Sequence, residues 1–158
     1  MGMTAEEKIV HAAAAQHAFI SAAESCTGGL ISAAIVNVPG ASDVFGQGLV
    51  TYSNEAKEKL LGVKHETLVK YGAVSHETAR EMALGCAMSA GADYAVASTG
   101  IAGPGGGTEE KPVGLVYIGC FAKGEVSSIK CNFEGDRQAV RMAAVQRALE
   151  YLLSRMNC

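Results

Sequence analysis

The sequence predicts an α/β protein, a three-layer α/β/α sandwich with a mixed, mostly parallel sheet of about five strands. Short apolar runs alternate with helical patterns along most of the chain, which is typical of parallel strands joined by helices. Two strand patterns then flank Lys123-Gly124, which predicts a β-hairpin, and an amphipathic helix follows. We expect one domain that covers residues 1–158.

The composition restricts the class of protein. Of the 158 residues, 49% are hydrophobic and the net charge is −3, which allows one buried core. No run of like charge favours a nucleic acid or a membrane surface. No apolar stretch reaches the length of a membrane span, and the N-terminus is acidic where a signal peptide would be basic. We expect a cytoplasmic homo-oligomer whose partner is a small molecule.

Local signals predict each element in order. Thr4 and Glu7 form a capping box that opens a helix reaching about His17. Further helix caps are predicted at Ser53 with Asn54, at Ser75 and at Asp136. The predicted strands are 19–23, 48–52, 92–98, 113–122 and 125–133. The other predicted helices are 30–36, 55–61, 65–71, 76–90 and one that begins at about 137, and a short turn covers 42–45.

The cysteines are expected to be free thiols, because they are odd in number and widely spaced. If Lys123-Gly124 is the hairpin turn, Cys120 lies opposite Ser127 and Cys131 lies opposite Val116. The two thiols would then be about 13 Å apart along the strand, beyond the ~7 Å limit for a disulfide. We expect no zinc site, since no ligand spacing fits one. The five cysteines are Cys26, Cys86, Cys120, Cys131 and Cys158.

The strongest chemical signal is the segment 23–29, Ala-Glu-Ser-Cys-Thr-Gly-Gly, between the first strand and a helix. The first turn of a helix presents unpaired amides and a partial positive charge, so it can hold an oxyanion. Ser25 and Cys26 provide a hydroxyl and a thiol there, and Gly28 with Gly29 allows a ligand close to the backbone. Either side chain could be a nucleophile, and the segment also fits an ordinary helix cap.

Two further segments follow strands and reach the same edge of the sheet, where ligands of parallel sheets bind. Tyr52 ends the second strand, and Lys57 lies in the first turns of the next helix. The neighbouring Glu55 and Glu58 also fit a solvated helix face around Lys57. The glycine-rich segment 99–108 fits either a flexible linker or a backbone cradle for an anion.

Arg137 lies in the first turn of the last helix, where a cation opposes the helix dipole. This unfavourable placement indicates that the residue binds a ligand or a partner carboxylate.

Five ordered segments resemble the CinA C-terminal domain family over nearly the whole chain. They are 23–29, 50–57, 72–75, 99–104 with 110–114, and 135–137. This family deamidates nicotinamide mononucleotide in pyridine-nucleotide salvage, releasing ammonia and nicotinic acid mononucleotide. The resemblance implies a single amidohydrolase domain that needs no metal or cofactor. Many relatives carry an additional N-terminal nucleotide-processing domain, whereas this sequence resembles the stand-alone deamidases, so we expect no pyrophosphatase activity.

The resemblance also implies residue roles. Ser25 would be the nucleophile, Lys57 its general base and Tyr52 a supporting hydrogen-bond partner. This chemistry requires Lys57 to be largely desolvated, because only an uncharged amine can accept the seryl proton. The expected substrate-binding or oxyanion residues are Cys26, Thr27, Gly28, Thr99, Gly100, Gly103 and Arg137. Two alternatives stay open, namely Cys26 as the nucleophile and a nucleotide-binding module that does not hydrolyse.

Overall fold

A five-stranded sheet forms the middle of the computed structural model, which describes residues 2–157. The strands are β1 (Ile20–Glu24), β2 (Phe45–Val50), β3 (Tyr94–Gly100), β4 (Leu115–Ala122) and β5 (Glu125–Asn132). The helices are α1 (Ala5–Gln16), α2 (Leu30–Val36), α3 (Asn54–Leu61), α4 (His65–Tyr71), α5 (His76–Ala90) and α6 (Arg137–Met156), with a short 3-10 helix at Ala41–Asp43.

The sheet has the strand order β2-β1-β3-β4-β5. Strand β1 runs parallel to both β2 and β3, whereas β4 is antiparallel to β3 and to β5. The predicted mixed sheet is therefore confirmed, with a parallel part of three strands followed by the hairpin. Strand β3 lies in the centre, as its uninterrupted apolar pattern indicates.

Helices cover both faces of the sheet, which confirms the three-layer sandwich. On one face α1, α2 and α6 pack around Ile9, Ile31 and Leu149. On the other face α3, α4 and α5 pack around Leu61 and Met82. Within the described residues, no helix is both long and apolar enough to cross a membrane.

The four predicted caps are confirmed, and they fix where the site-bearing helices begin. Each cap side chain accepts a hydrogen bond from an amide in the first turn of its helix. The pairs are Thr4 with Glu7 N, Ser53 with Ala56 N, Ser75 with Thr78 N and Asp136 with Ala139 N. Helices α3 and α6 therefore begin at Asn54 and Arg137.

All five strands differ from the predicted bounds by one to three residues at one or both ends, and the differences in β2 and β3 bear on the site. Strand β2 covers Phe45–Val50 rather than 48–52, because its ladder with β1 begins at Phe45 and ends at Val50 despite two glycines. Strand β3 continues through Thr99 to Gly100 rather than ending at 98, since Gly100 still pairs with Val116 of the hairpin. Both differences are set by the length of the neighbouring strand.

The hairpin register is confirmed. Cys120 pairs with Ser127, and Cys131 pairs with Val116, so these two thiols are far apart along the strands. The four described cysteines, Cys26, Cys86, Cys120 and Cys131, are free and buried. The prediction for Cys158 lies outside the described residues.

Candidate active site

A cleft of about 260 Å³ opens at the carboxyl edge of the parallel strands. Its volume is close to the lower end of small-molecule sites. Seven of the predicted site residues line it, namely Ser25, Cys26, Tyr52, Lys57, Thr99, Gly100 and Arg137. The other lining residues are Asn54, Ala73, Val74 and Ala102. The structure thus brings together residues from the ends of all three parallel strands.

The side chains of Ser25 and Lys57 meet inside this cleft. Lys57 Nζ lies 3.0 Å from Ser25 Oγ and donates to the carbonyl oxygen of Thr51 at 2.8 Å. The lysine is 1% exposed and the serine 8% exposed. Ser25 follows β1, and Lys57 is on the inward face of α3, which Ser53 caps. A nucleophile and a base within hydrogen-bond distance form the pattern of a covalent hydrolase.

Burial lowers the pKa of the Lys57 amine from its ordinary value of 10.5. The loss of solvation disfavours the charged ammonium, and nearby Cys26 opposes the effect more weakly. Among the described residues, no carboxylate forms an ion pair with this amine. The interpretation of Lys57 as part of a solvated helix face is therefore wrong, and the desolvation that a lysine base requires is present.

Burial also makes Cys26 a poor nucleophile. The pKa of its thiol is raised to about 11, because desolvation outweighs the hydrogen bond with Ser98 and the charges of Arg141 and Lys57. A thiol with this pKa is almost entirely protonated at neutral pH, whereas the thiolate is the reactive form. Cys26 lines the cleft beside the serine, but the geometry favours Ser25 as the attacking group.

The prediction that the first turn of α2 presents unpaired amides is wrong. The carboxylate of Glu24, which is fully buried, already accepts five hydrogen bonds there. Its Oε1 accepts from Thr27 Oγ1 at 2.7 Å, Gly29 N at 3.2 Å and Ile31 N at 2.8 Å. Its Oε2 accepts from Ser32 N at 2.9 Å and Ser32 Oγ at 2.7 Å. The start of α2 is thus closed by the protein's own carboxylate rather than open to a ligand.

Thr27 and Gly28, both predicted to contact substrate or oxyanion, do not line the cleft. The Thr27 hydroxyl donates to Glu24 and lies 2.7 Å from Ser98 Oγ. The Gly28 amide donates to the carbonyl oxygen of Ser25 at 3.1 Å, which closes the turn. The Thr27 side chain and the Gly28 amide consequently hold the turn, and Cys26 is the residue of the turn after Ser25 that lines the cleft. The Cys26 amide donates to no oxygen atom among residues 2–157.

Tyr52 and Arg137 form the exposed rim of the cleft. Arg137 donates to the Tyr52 hydroxyl at 3.1 Å and to the carbonyl oxygen of Gly103 at 2.7 Å. The prediction that Arg137 contacts a partner carboxylate is therefore wrong, because its contacts are a carbonyl oxygen and a hydroxyl. Tyr52 is 64% exposed, and its hydroxyl does not bond to Ser25 or Lys57, because the residue lies past the end of β2. The structure does not join Tyr52 to the buried pair.

The glycine-rich segment is a folded connection rather than a free linker. The Thr99 hydroxyl donates to Ala73 O at 2.8 Å, and Ile101 N and O both bond to the start of the hairpin. Of residues 99–108, Thr99, Gly100 and Ala102 line the cleft. A Cβ at Gly103 would lie 2.5 Å from Val113 Cγ1, so this glycine serves close packing and does not line the cleft.

Three residues of the site were not singled out in the sequence. Glu24 was a usable signal, because a charged residue inside a buried strand pattern needs several donors. Arg141 donates to the carbonyl oxygens of Cys26 and Thr27 and lies one helical turn after Arg137, a spacing that places both arginines on one helix face. Asn54 lines the cleft without any distinguishing signal.

No group of three or more metal-ligating side chains is positioned to hold a metal ion within residues 2–157.

The comparisons with known proteins identify a family. The family model described as CinA C-terminal domain matches residues 3–156. A CinA-like protein of Kosmotoga olearia is 58% identical over 133 residues, which cover 84% of this chain and 32% of that protein. The chain spans about a third of the length of the curated relatives it matches.

Two solved structures are similar over the whole fold. The competence/damage inducible protein CihA of Agrobacterium tumefaciens has a TM-score of 0.93 and 43% identity, with all of both chains covered. A CinA superfamily protein of Klebsiella pneumoniae has a TM-score of 0.92 and 35% identity, covering 97% of this chain and 96% of that one.

Proposed function

Since the chain belongs to the CinA C-terminal domain family, we propose that it is an amidohydrolase that converts nicotinamide mononucleotide into nicotinic acid mononucleotide and ammonia. One observation carries the proposal: the buried Lys57 amine lies 3.0 Å from the Ser25 hydroxyl. An uncharged amine at this distance can remove the seryl proton, which makes the hydroxyl an effective nucleophile.

In the first half of the reaction, Ser25 Oγ attacks the carboxamide carbon of the nicotinamide while its proton passes to Lys57 Nζ. A bond forms between Oγ and that carbon, and the carbonyl electrons move onto oxygen to give a tetrahedral oxyanion. The Lys57 ammonium then protonates the amide nitrogen, the C–N bond breaks, and ammonia leaves. The product of this half is an ester on Ser25.

In the second half, water attacks the ester carbon and gives a proton to Lys57. The bond between this carbon and Ser25 Oγ breaks, and Lys57 returns the proton to Oγ. Nicotinic acid mononucleotide leaves as the carboxylic acid, which loses its proton to the solvent, and the site is restored.

The turn after Ser25 supplies the charge stabilisation. Cys26 lines the cleft and its amide donates to no oxygen atom in the described part of the chain, so this amide is the candidate to bind the oxyanion. One such contact typically contributes about 3 kcal/mol to lowering the barrier.

Recognition of the nucleotide is assigned to the rim. Arg137 lines the cleft with an exposed guanidinium, which suits a phosphate group. Gly100 and Ala102 bring backbone groups of the glycine-rich segment to the same cleft, where a ribose could be held.

Ammonia release from nicotinamide mononucleotide by the purified protein, with a chelator present, tests the proposal. We expect turnover in the wild type, its loss in Ser25→Ala, and much of it retained in the matched variant Cys26→Ala. Binding of the nucleotide without ammonia release would contradict the proposal and favour a nucleotide-binding module. Loss of activity in Cys26→Ala with retention in Ser25→Ala would make the thiol the nucleophile.

A further inference from the structure

Thr99 lies beside the proposed nucleophile at the carboxyl edge of the parallel strands. Strands β1 and β3 pair Glu24 with Ser98. The Ser25 amide continues this ladder by donating to Ser98 O at 3.0 Å, so Ser25 and Thr99 are the next residues of the register. Adjacent strands lie about 4.8 Å apart. Both residues line the cleft, and Thr99, at 1% exposed, forms part of the cleft wall next to Ser25.

The contacts of the two side chains place them on the same face of the sheet. Ser25 Oγ lies 3.0 Å from the Nζ atom of Lys57, which comes from α3. The Thr99 hydroxyl bonds to Ala73 O, and Ala73 packs against the core cluster under α3, α4 and α5. A carboxamide carbon bonded to Ser25 Oγ would therefore have the Thr99 side chain as its neighbour in the wall.

The hydrogen bonds of Thr99 determine what its hydroxyl offers to a ligand. A hydroxyl has one hydrogen and two acceptor lone pairs. The hydrogen is donated to Ala73 O at 2.8 Å, and this is the only hydrogen bond that the Ala73 carbonyl accepts among residues 2–157. The oxygen of the hydroxyl accepts no hydrogen bond from the described residues. The Thr99 side chain consequently offers an acceptor and no hydrogen, which does not suit an oxyanion.

We infer that Thr99 is a specificity-determining residue whose hydroxyl oxygen accepts a hydrogen bond from the NH₂ group of the substrate carboxamide. The inference rests on the proposed hydrolysis at Ser25. A primary carboxamide has two N–H donors, whereas the carboxylate of the product has only acceptors. The lone pairs of Thr99 attract the first group and repel the second, so the residue favours binding of the amide and release of the acid.

Relative affinity for the two nucleotides tests this inference. Calorimetry on Ser25→Ala, in which we expect no turnover, gives Kd for nicotinamide mononucleotide and for nicotinic acid mononucleotide. Thr99→Val in this background removes the hydroxyl and keeps the shape of the side chain. We expect the ratio of the acid Kd to the amide Kd to fall by about tenfold, because the amide loses a hydrogen bond and the acid loses a repulsion. Thr99→Ser, which keeps a hydroxyl, should stay within about threefold of Ser25→Ala.

Thr78→Val in the same background is the matched control for loss of support of the wall. Thr78 is fully buried, and its hydroxyl donates to Gly72 O at 2.7 Å, in the same connection between α4 and α5 as Ala73. Thr78 does not line the cleft. A purely structural effect would change both Kd values in the same direction and leave their ratio as it is in Ser25→Ala.

A second probe needs no substitution at Thr99 and decides if Thr99→Val does not fold, which thermal unfolding shows. The methyl ester of nicotinic acid mononucleotide has neither an N–H donor nor the carboxylate charge. We expect Ser25→Ala to bind this ester about tenfold more weakly than the amide. Equal affinity for the ester and the amide would overturn the inference.

The outcomes separate the two proposals. An unchanged ratio in Thr99→Val, or an equal fall in Thr78→Val, would overturn the role of Thr99 alone. A fall confined to Thr99→Val, together with no ammonia release from nicotinamide mononucleotide by the wild type, would support the role of Thr99 in binding and overturn the proposed hydrolysis. If Ser25→Ala binds neither nucleotide and the wild type releases no ammonia, both proposals are overturned.

Discussion

The two halves of the cleft differ in their access to water. The half that holds Ser25 and Lys57 is almost completely buried, whereas Tyr52 and Arg137 at the rim are exposed. Charge and solvation effects are strong where water is excluded and weak where it is present. The lowered pKa of Lys57 therefore belongs to the buried half, and the rim can contribute only ordinary solvated contacts. Under the proposed function, this contrast assigns the chemical step to the buried residues and substrate recognition to the rim, and variants of each half test that assignment separately.

The largest effect on kcat is expected from a substitution of Lys57, the proposed general base. Lys57→Met removes the proton acceptor but keeps an unbranched side chain of similar length in the core. We expect kcat to fall by about 1,000-fold, because general base catalysis is lost, while the affinity for nicotinamide mononucleotide stays within about threefold. Calorimetry measures the binding and ammonia release the rate. Lys59→Met, on the exposed side of α3, is the control, and more than a tenth of wild-type kcat in Lys57→Met would contradict the assignment.

The hydrogen bonds that the Glu24 carboxylate accepts should contribute to the stability of the protein. Glu24→Gln replaces one of two acceptor oxygens by an NH₂ group that faces the amides and hydroxyl now bonded to the carboxylate. We expect the free energy of unfolding to fall by about 3 kcal/mol, measured by urea titration, with a lower kcat. The exposed Glu55→Gln is the control. An unchanged free energy of unfolding in Glu24→Gln would mean that these five bonds do not hold the turn.

The exposed half should affect binding rather than chemistry. Arg137→Met removes the guanidinium from the rim, so we expect KM to rise by about tenfold, equivalent to ~1.4 kcal/mol, with kcat within about threefold. Arg137→Lys keeps the charge and should recover part of the affinity. A large loss of kcat at constant KM would place this arginine in the chemical step and remove the contrast between the two halves.

The smallest effect is expected from Tyr52→Phe. The hydroxyl contacts only Arg137 among the described residues, so its loss should change KM by about two- to threefold and leave kcat unchanged. Steady-state kinetics of the single variant are sufficient. A fall of about 100-fold in kcat would instead restore Tyr52 as the supporting partner of the serine that the family resemblance implies.

Most of the fold could be predicted because its signals are local. The cap side chains of α1, α3, α5 and α6 and the turn at Lys123-Gly124 each depend on residues three or four positions apart. The ends of β2 and β3 could not be predicted, since they depend on how far the neighbouring strand continues. The pairs Ile20 with Phe45 and Gly100 with Val116 set these ends.

The site was predictable in its members more than in its contacts. Ser25, Lys57 and Arg137 follow the ends of strands or open helices, so their presence at one edge follows from topology. Their partners depend on distant segments. Arg141 reaches Cys26 across 115 positions of the chain, and no pattern in the sequence reports such a pair. The hydrogen bonds from the first-turn amides of α2 to the Glu24 carboxylate likewise depend on the buried orientation of that side chain.

The central claim is that burial lowers the pKa of Lys57 so that its uncharged amine can accept the Ser25 proton, and an NMR titration of its side chain tests this most directly. The ¹³Cε signal of Lys57, identified by its absence in Lys57→Met, reports the protonation of Nζ as the pH changes. Burial predicts a midpoint below the ordinary lysine value of 10.5, and kcat/KM should fall with decreasing pH through the same midpoint, because the ammonium cannot accept the Ser25 proton. A midpoint at the ordinary lysine value, with activity independent of it, would contradict the account.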